Sequence, residues 1–191
     1  MAVCKSGVEH LASLRDGRSV YIDGERVADV TTHRAYRNAV ASAANLYDVQ
    51  SAPGNLELMT FAPDGANRRI SRAWQMPRSH AEMVSRRQAL TAWAECSYGF
   101  MGRSPDHLAS ALVGQRMGLE VFERGGAARA KAFADYFDYA STNDLFLTYV
   151  IINPQANRSK DWGEQDEDLV ARIVDEDSTG VTIREIGRAH V

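Results

Sequence analysis

Apolar residues recur at helical intervals through most of the first 143 positions, then give way to runs rich in β-branched and aromatic residues. Ser6-Gly7-Val8-Glu9 has the spacing of a capping box and precedes Leu11 and Leu14, which predicts a short helix ending near Gly17. Val20-Tyr21-Ile22 and Glu25 to Val30 flank Asp23-Gly24, a pair suited to the positive φ angles of a tight β-hairpin. Thr32 is placed to cap a helix from His33 to Asp48, with Ala35, Ala39, Ala43 and Leu46 inward. Leu56 to Phe61 and Arg68 to Trp74 flank Pro63-Asp64-Gly65 and predict a second hairpin. A helix capped by Ser79 should carry Leu90, Trp93, Ala94, Ser97 and Met101 to Gly102. In the next, Ser104 should accept from the free amides and Pro105 should occupy the first turn. Leu108, Leu112, Leu119 and Phe122 lie on its face, and Gly125-Gly126 breaks it. A last helix carries Ala130, Phe133, Ala134 and Phe137 and stops near Asn143.

The period then changes. Leu145 to Ile152 reads as a buried strand ended by Asn153-Pro154, Asn153 to Asp168 as polar and irregular, and Leu169 to Val174 and Val181 to Arg184 as two further strands. The expected organisation is a mainly α N-terminal domain with small β-hairpins over residues 1–144, then the beginning of a β domain over 145–184. Some forty residues of β structure are too few for a core of their own. Ile186-Gly187-Arg188-Ala189-His190-Val191 equals one translated frame of a common short-read sequencing adapter, so residues 185–191 are expected to be adapter read-through.

Composition narrows the function classes. The chain has 191 residues, 45% hydrophobic and 25% charged, with a net charge of -3, which gives no electrostatic footprint for nucleic acid. Met1 to Arg18 lacks an apolar signal core and no apolar run is long enough to span a bilayer, so a soluble cytoplasmic protein is expected. Cys4 and Cys96 match no metal or redox spacing and read as two reduced thiols. His10, His33 and His80 read as surface groups, and Trp74 and Trp93 as core. Gly-rich phosphate loops, zinc spacings and a nucleophile elbow are absent from the sequence.

Two segments could carry chemistry. Met101 to His107 gathers Arg103, Ser104 and His107 around one helix N-terminus, whose free amides and partial positive charge attract anions. Arg103 could pair with a phenolate or carboxylate and His107 could accept a proton; the alternative is a well-capped helix with two solvated side chains. Thr148 to Lys160 would deliver Gln155, Asn157, Arg158 and Ser159 from a buried strand as donors for a polar heterocycle or phosphate, or would simply end the strand.

Three stretches together resemble the 4-hydroxyphenylacetate 3-hydroxylase family. They are Ser13 to Arg18 continuing through Gly24 to Val27 and Asp29 to His33; Tyr98-Gly99-Phe100-Met101-Gly102-Arg103-Ser104-Pro105-Asp106; and Asn153-Pro154-Gln155-Ala156-Asn157-Arg158. The resemblance implies an acyl-CoA dehydrogenase-like architecture in a parent protein more than twice this length. It also implies ortho-hydroxylation of a phenolic substrate with O2 and FAD, used as FADH2 from a separate flavin reductase, and a homotetrameric parent. Carried over by position, Arg103 would contact the phenolic oxygen, with Ser104 and His107 beside it, and Tyr149 would meet both substrate and flavin. Gln155, Ala156, Asn157 and Arg158 would hold the flavin. His107 and Tyr149 stand where hydroxyphenylacetate-type enzymes have Tyr and His, and resemble instead the halophenol and nitrophenol branch. The alternatives are a non-catalytic helical interaction module and a relative of 4-hydroxybutyryl-CoA dehydratase.

Overall fold

Ser6 opens the first helix by a reciprocal cap: its hydroxyl accepts from the N–H of Glu9, and the Glu9 carboxylate accepts from the Ser6 N–H at 2.7 Å. The helix α1 (Gly7–Ser13) stops short of Gly17, because Leu14 and Arg15 bond back three residues rather than four. The computed structural model describes residues 4–148, 157–165 and 171–184. The chain forms two compact units that meet in sequence at Leu147 and Thr148.

In the first unit, β1 (Val20–Ile22) and β2 (Glu25–Val27) pair antiparallel through Asp23 and Gly24, at φ 52° and 80° as the turn requires. The strand ends before Val30 because Asp29 captures the N–H and hydroxyl of Thr31 with its carboxylate. Its carbonyl accepts from the N–H groups of Thr32 and His33. Thr32 therefore caps nothing: residues 30–36 form turns, and α2 (Arg37–Ser51) begins four residues later than the cap predicted. The α2 core face is Ala43, Ala44, Leu46, Tyr47 and Gln50, with Ala35 and Ala39 exposed.

Leu56–Met59 is a short helix, α3, rather than a strand. Arg72 donates to the carbonyls of Leu58 and Glu57, and Arg69 to those of Thr60 and Leu56, so two cations satisfy the helix C-terminus. Only β3 (Thr60–Phe61) and β4 (Ile70–Ser71) form the hairpin, followed by a 3-10 turn over Arg72–Trp74. Ser79 caps α4 (His80–Cys96) as expected. The single helix anticipated after Pro105 is divided at Gly118 into α5 (Asp106–Met117) and α6 (Leu119–Glu123). Gly126, at φ 112°, precedes α7 (Ala127–Thr142).

Leu46, Met59, Trp74, Trp93, Val113 and Phe137 anchor one core shared by α2, α3, α4, α5 and α7. Both buried indoles find acceptors, Trp93 Nε1 at the Leu46 carbonyl (3.0 Å) and Trp74 Nε1 at Asp144 (3.1 Å). His10 is not a surface group. It is 5% exposed and stacks on Tyr47 at 4.6 Å, because the close α1–α2 contact turns that face of α1 inward. Cys4 is buried and Cys96 exposed, both as free thiols.

Leu145–Thr148 has no strand pairing, and Tyr149 to Ile152 lie outside the described residues, as do Leu169 and residues 185–191. The second unit contains a 3-10 turn at Trp162–Glu164 and an antiparallel hairpin of β5 (Arg172–Asp177) and β6 (Gly180–Arg184), with a register shift between Ile173 and Asp175. Helix thus dominates and sheet is confined to two-stranded hairpins among the described residues, a mainly α arrangement. Among them, no helix is long and apolar enough to cross a membrane.

Candidate functional site

The segment from Ser97 to His107 is a backbone device that ends α4 and starts α5. Gly99 N–H bonds to the Ala94 carbonyl and Tyr98 N–H to that of Glu95, the paired bonds of a Schellman termination. That motif needs a left-handed residue, and here it is Tyr98 at φ 51°, a costly conformation for a bulky side chain. Gly99 and Gly102 follow at φ 77° and 67°. Further bonds from Phe100 to Ser97 and from Arg103 to Met101 tighten the loop, and the side chains of Tyr98 and Phe100 stand 90% and 93% exposed.

Arg103, Ser104 and His107 are brought together at this junction, with Arg103 and His107 exposed and Ser104 half-buried. The His107 N–H bonds to the Ser104 carbonyl at 3.0 Å. The Ser104 hydroxyl does not accept from the helix amides, as the cap reading required; it donates to the Asp106 carboxylate. Asp106 sits in the first turn of α5, where a negative charge is favoured by the helix dipole. It was assigned no role from sequence, although its position two residues after Ser104 was the available signal. Behind the junction, Arg86 on α4 donates to the Ala73 carbonyl (2.9 Å) and to Ser110 Oγ on α5 (2.7 Å). Burial disfavours the Arg86 charge and Asp106 favours it. Arg86 thus ties α5 to the turn at Ala73. Nothing in the sequence pattern marked it. The junction presents a permanent cation and an imidazole from one fixed helix start, an arrangement able to hold an oxyanion and take up a proton.

The second segment is described in part. Tyr149, Gln155 and Ala156 lie outside the described residues. Asn157 and Arg158 belong to the second unit and are exposed. Asn157 forms a local turn: its side-chain carbonyl accepts from the Ser159 N–H and hydroxyl, and Gln165 clamps its backbone from both sides, accepting its N–H at 3.0 Å and donating to its carbonyl at 2.7 Å. The turn therefore directs Arg158 and Lys160 to the surface as its cationic donors.

The profile of the N-terminal region of 4-hydroxyphenylacetate 3-hydroxylase matches residues 6–186. The chain belongs to this family. Among 4-hydroxyphenylacetate 3-hydroxylase relatives, the 4-hydroxyphenylacetate 3-monooxygenase oxygenase component of Geobacillus sp. is 35% identical over 94% of this chain and 36% of its own length. The oxygenase component of 4-nitrophenol 2-monooxygenase from Rhodococcus sp. is also 35% identical, over 93% of this chain and 34% of its own. The crystal structure of the 4-hydroxyphenylacetate 3-monooxygenase oxygenase component complexed with FAD superposes with a TM-score of 0.83 at 30% identity, covering 95% of this chain and 37% of that one. The chain thus spans about a third of the length of the family members it matches.

Proposed function

We propose that this chain is the N-terminal part of the oxygenase component of a two-component monooxygenase that ortho-hydroxylates a phenol with O2 and reduced FAD. The observation that carries the reading is the family match over residues 6–186, within which Arg103, Ser104 and His107 lie at one hydrogen-bonded helix start. Arg103 holds the phenolic oxygen, Ser104 and Asp106 fix the backbone that presents it, and His107 accepts the phenolic proton. A phenol held as its phenolate is electron-rich at the ortho carbon, the property the reaction requires. Tyr149 contacts substrate and flavin, and Gln155, Ala156, Asn157 and Arg158 line the flavin.

FAD fits the described part of that second group: the Asn157 turn is internally satisfied and leaves Arg158 and Lys160 as outward donors for an anionic, acceptor-rich cofactor. When bound, the reduced flavin supplies the electrons that activate O2. The partner is a separate flavin reductase, and the complete protein is a cytoplasmic homotetramer. A nitrophenol or halophenol substrate is favoured by His107 and Tyr149 alone, since the Geobacillus and Rhodococcus oxygenases are equally similar to the chain.

The test replaces the first third of the Geobacillus oxygenase with residues 6–184 of this chain. The chimera, supplied with a flavin reductase, should convert 4-nitrophenol to its catechol. A folded, FAD-binding chimera that forms no catechol from any of a panel of phenols contradicts the reading.

A further inference from the structure

A cleft of about 490 Å³ opens in the first unit between α1, the loop bearing Arg68 and the end of α7, away from the Arg103 junction. Its polar lining contains Lys5 and His10, which are only 8% and 5% exposed, with Arg68 and the charged side chains Glu9, Asp16 and Arg18. An enclosed ammonium normally has a carboxylate against it. Lys5 makes no direct ion pair among the described residues: its Nζ lies 5.3 Å from the Tyr47 ring centroid, and Asp144 and Glu9 act on its charge only through space.

The acids nearby are already engaged. Glu9 accepts from the Ser6 N–H and hydroxyl, Asp16 pairs with Arg18, and Asp144 accepts from Gln50 and Trp74. Neither Lys5 nor Arg68 forms an ion pair with a described carboxylate. His10 Nδ1 is also buried without a hydrogen-bond partner. Leu14 and Phe146 are among its apolar lining residues.

We propose that this cleft is a binding site for a small organic carboxylate, its anionic group between Lys5 and Arg68 and its apolar body against Leu14 and Phe146. The volume suits a small molecule, and the lining combines the cations Lys5 and Arg68 with the apolar side chains Leu14 and Phe146, the two kinds of contact that orient an amphipathic ligand. The site shares no residue with the proposed hydroxylation machinery, so either can fail without the other.

The experiment titrates the 191-residue chain with benzoate, benzyl alcohol and inorganic phosphate at fixed ionic strength, following backbone amide shifts and heats of binding. Benzoate should saturate at one equivalent, with the largest shifts at Lys5, His10 and Arg68. Benzyl alcohol and phosphate should each bind at least about tenfold more weakly, since one lacks the charge and the other the apolar body. Lys5→Met and Arg68→Gln should each weaken benzoate binding by about tenfold or more, the scale of one charged hydrogen bond. If Lys5→Met does not fold, the half-buried Arg68, which forms no hydrogen bond or ion pair with the described residues, carries the test. Absence of saturation, shifts centred elsewhere, unaltered affinity in the folded variants, or equal binding of benzyl alcohol or phosphate would each overturn the proposal.

Discussion

The indole N–H of Trp74 donates to the Asp144 carboxylate at 3.1 Å, joining the turn before α4 to the end of α7 across seventy positions of sequence. The other carboxylate oxygen accepts from Gln50, and the Asp144 carbonyl accepts from the Tyr47 hydroxyl at 3.0 Å. Asp144 is 2% exposed and left-handed, at φ 47°. Burial pushes its carboxyl above the usual carboxylate range while the two side-chain donors pull it back. Trp74→Phe keeps an aromatic ring against Phe137 but leaves a buried oxygen without its donor, and should cost about 2 kcal/mol or more in denaturant unfolding. A loss below about 0.5 kcal/mol would show that the bond contributes little.

His10 gives the fold an acid-sensitive point. Burial, with Lys5 nearby, lowers its pKa to about 4 from an ordinary 6.5. Between those values the unfolded chain binds a proton that the folded chain excludes. Its contribution is therefore full above pH 6.5 and lost as the pH falls towards about 4. His10→Phe, which can still stack on Tyr47, should flatten unfolding free energy across that window. Superimposable pH slopes for the two proteins would contradict this.

Gly7 sits at a close approach of α1 to α2. Its N–H bonds to the Asp48 carboxylate at 2.8 Å, and a Cβ added there would lie 2.5 Å from the Ala44 carbonyl oxygen and from Asp48 Oδ2. Gly7→Ala should destabilise by about 1–3 kcal/mol, the range of overpacking, despite the better helix propensity of alanine. Thermal unfolding unchanged from the parent would mean the two helices separate at no cost.

Tyr98 makes the opposite case. Its side chain is 90% exposed and its backbone left-handed, so Tyr98→Gly should stabilise the chain by about 1 kcal/mol. If denaturant unfolding instead shows destabilisation, the ring makes contacts that outweigh the strain.

Local chemistry carried much of the fold in sequence: the caps at Ser6 and Ser79 and the Asp23-Gly24 turn depend only on neighbours, and all three formed. Some misreadings come from local competition, as where Asp29 takes the Thr31, Thr32 and His33 donors ahead of α2, and others from longer-range bonds. The helix at Leu56–Met59 is held by Arg69 and Arg72, which reach back over a dozen positions, and His10 is buried only because α2 covers it. At the candidate site the motif located the junction, but the direction of the Ser104 hydroxyl depended on whether the amides or Asp106 won it. Arg86 was invisible because its acceptors, Ala73 and Ser110, meet only in the folded unit.

The central claim is that Arg103 holds the phenolic oxygen. Single-turnover mixing of the chimera with reduced FAD, O2 and 4-nitrophenol tests it most directly, with catechol and hydrogen peroxide quantified separately. Arg103→Ala should hydroxylate about 10²-fold more slowly, the scale of removing one charge-stabilising donor, while O2 is still consumed and appears as hydrogen peroxide. Hydroxylation by Arg103→Ala at the unsubstituted rate, with full coupling of O2 to catechol, would contradict the account and leave Arg103 to His107 as a helix start alone.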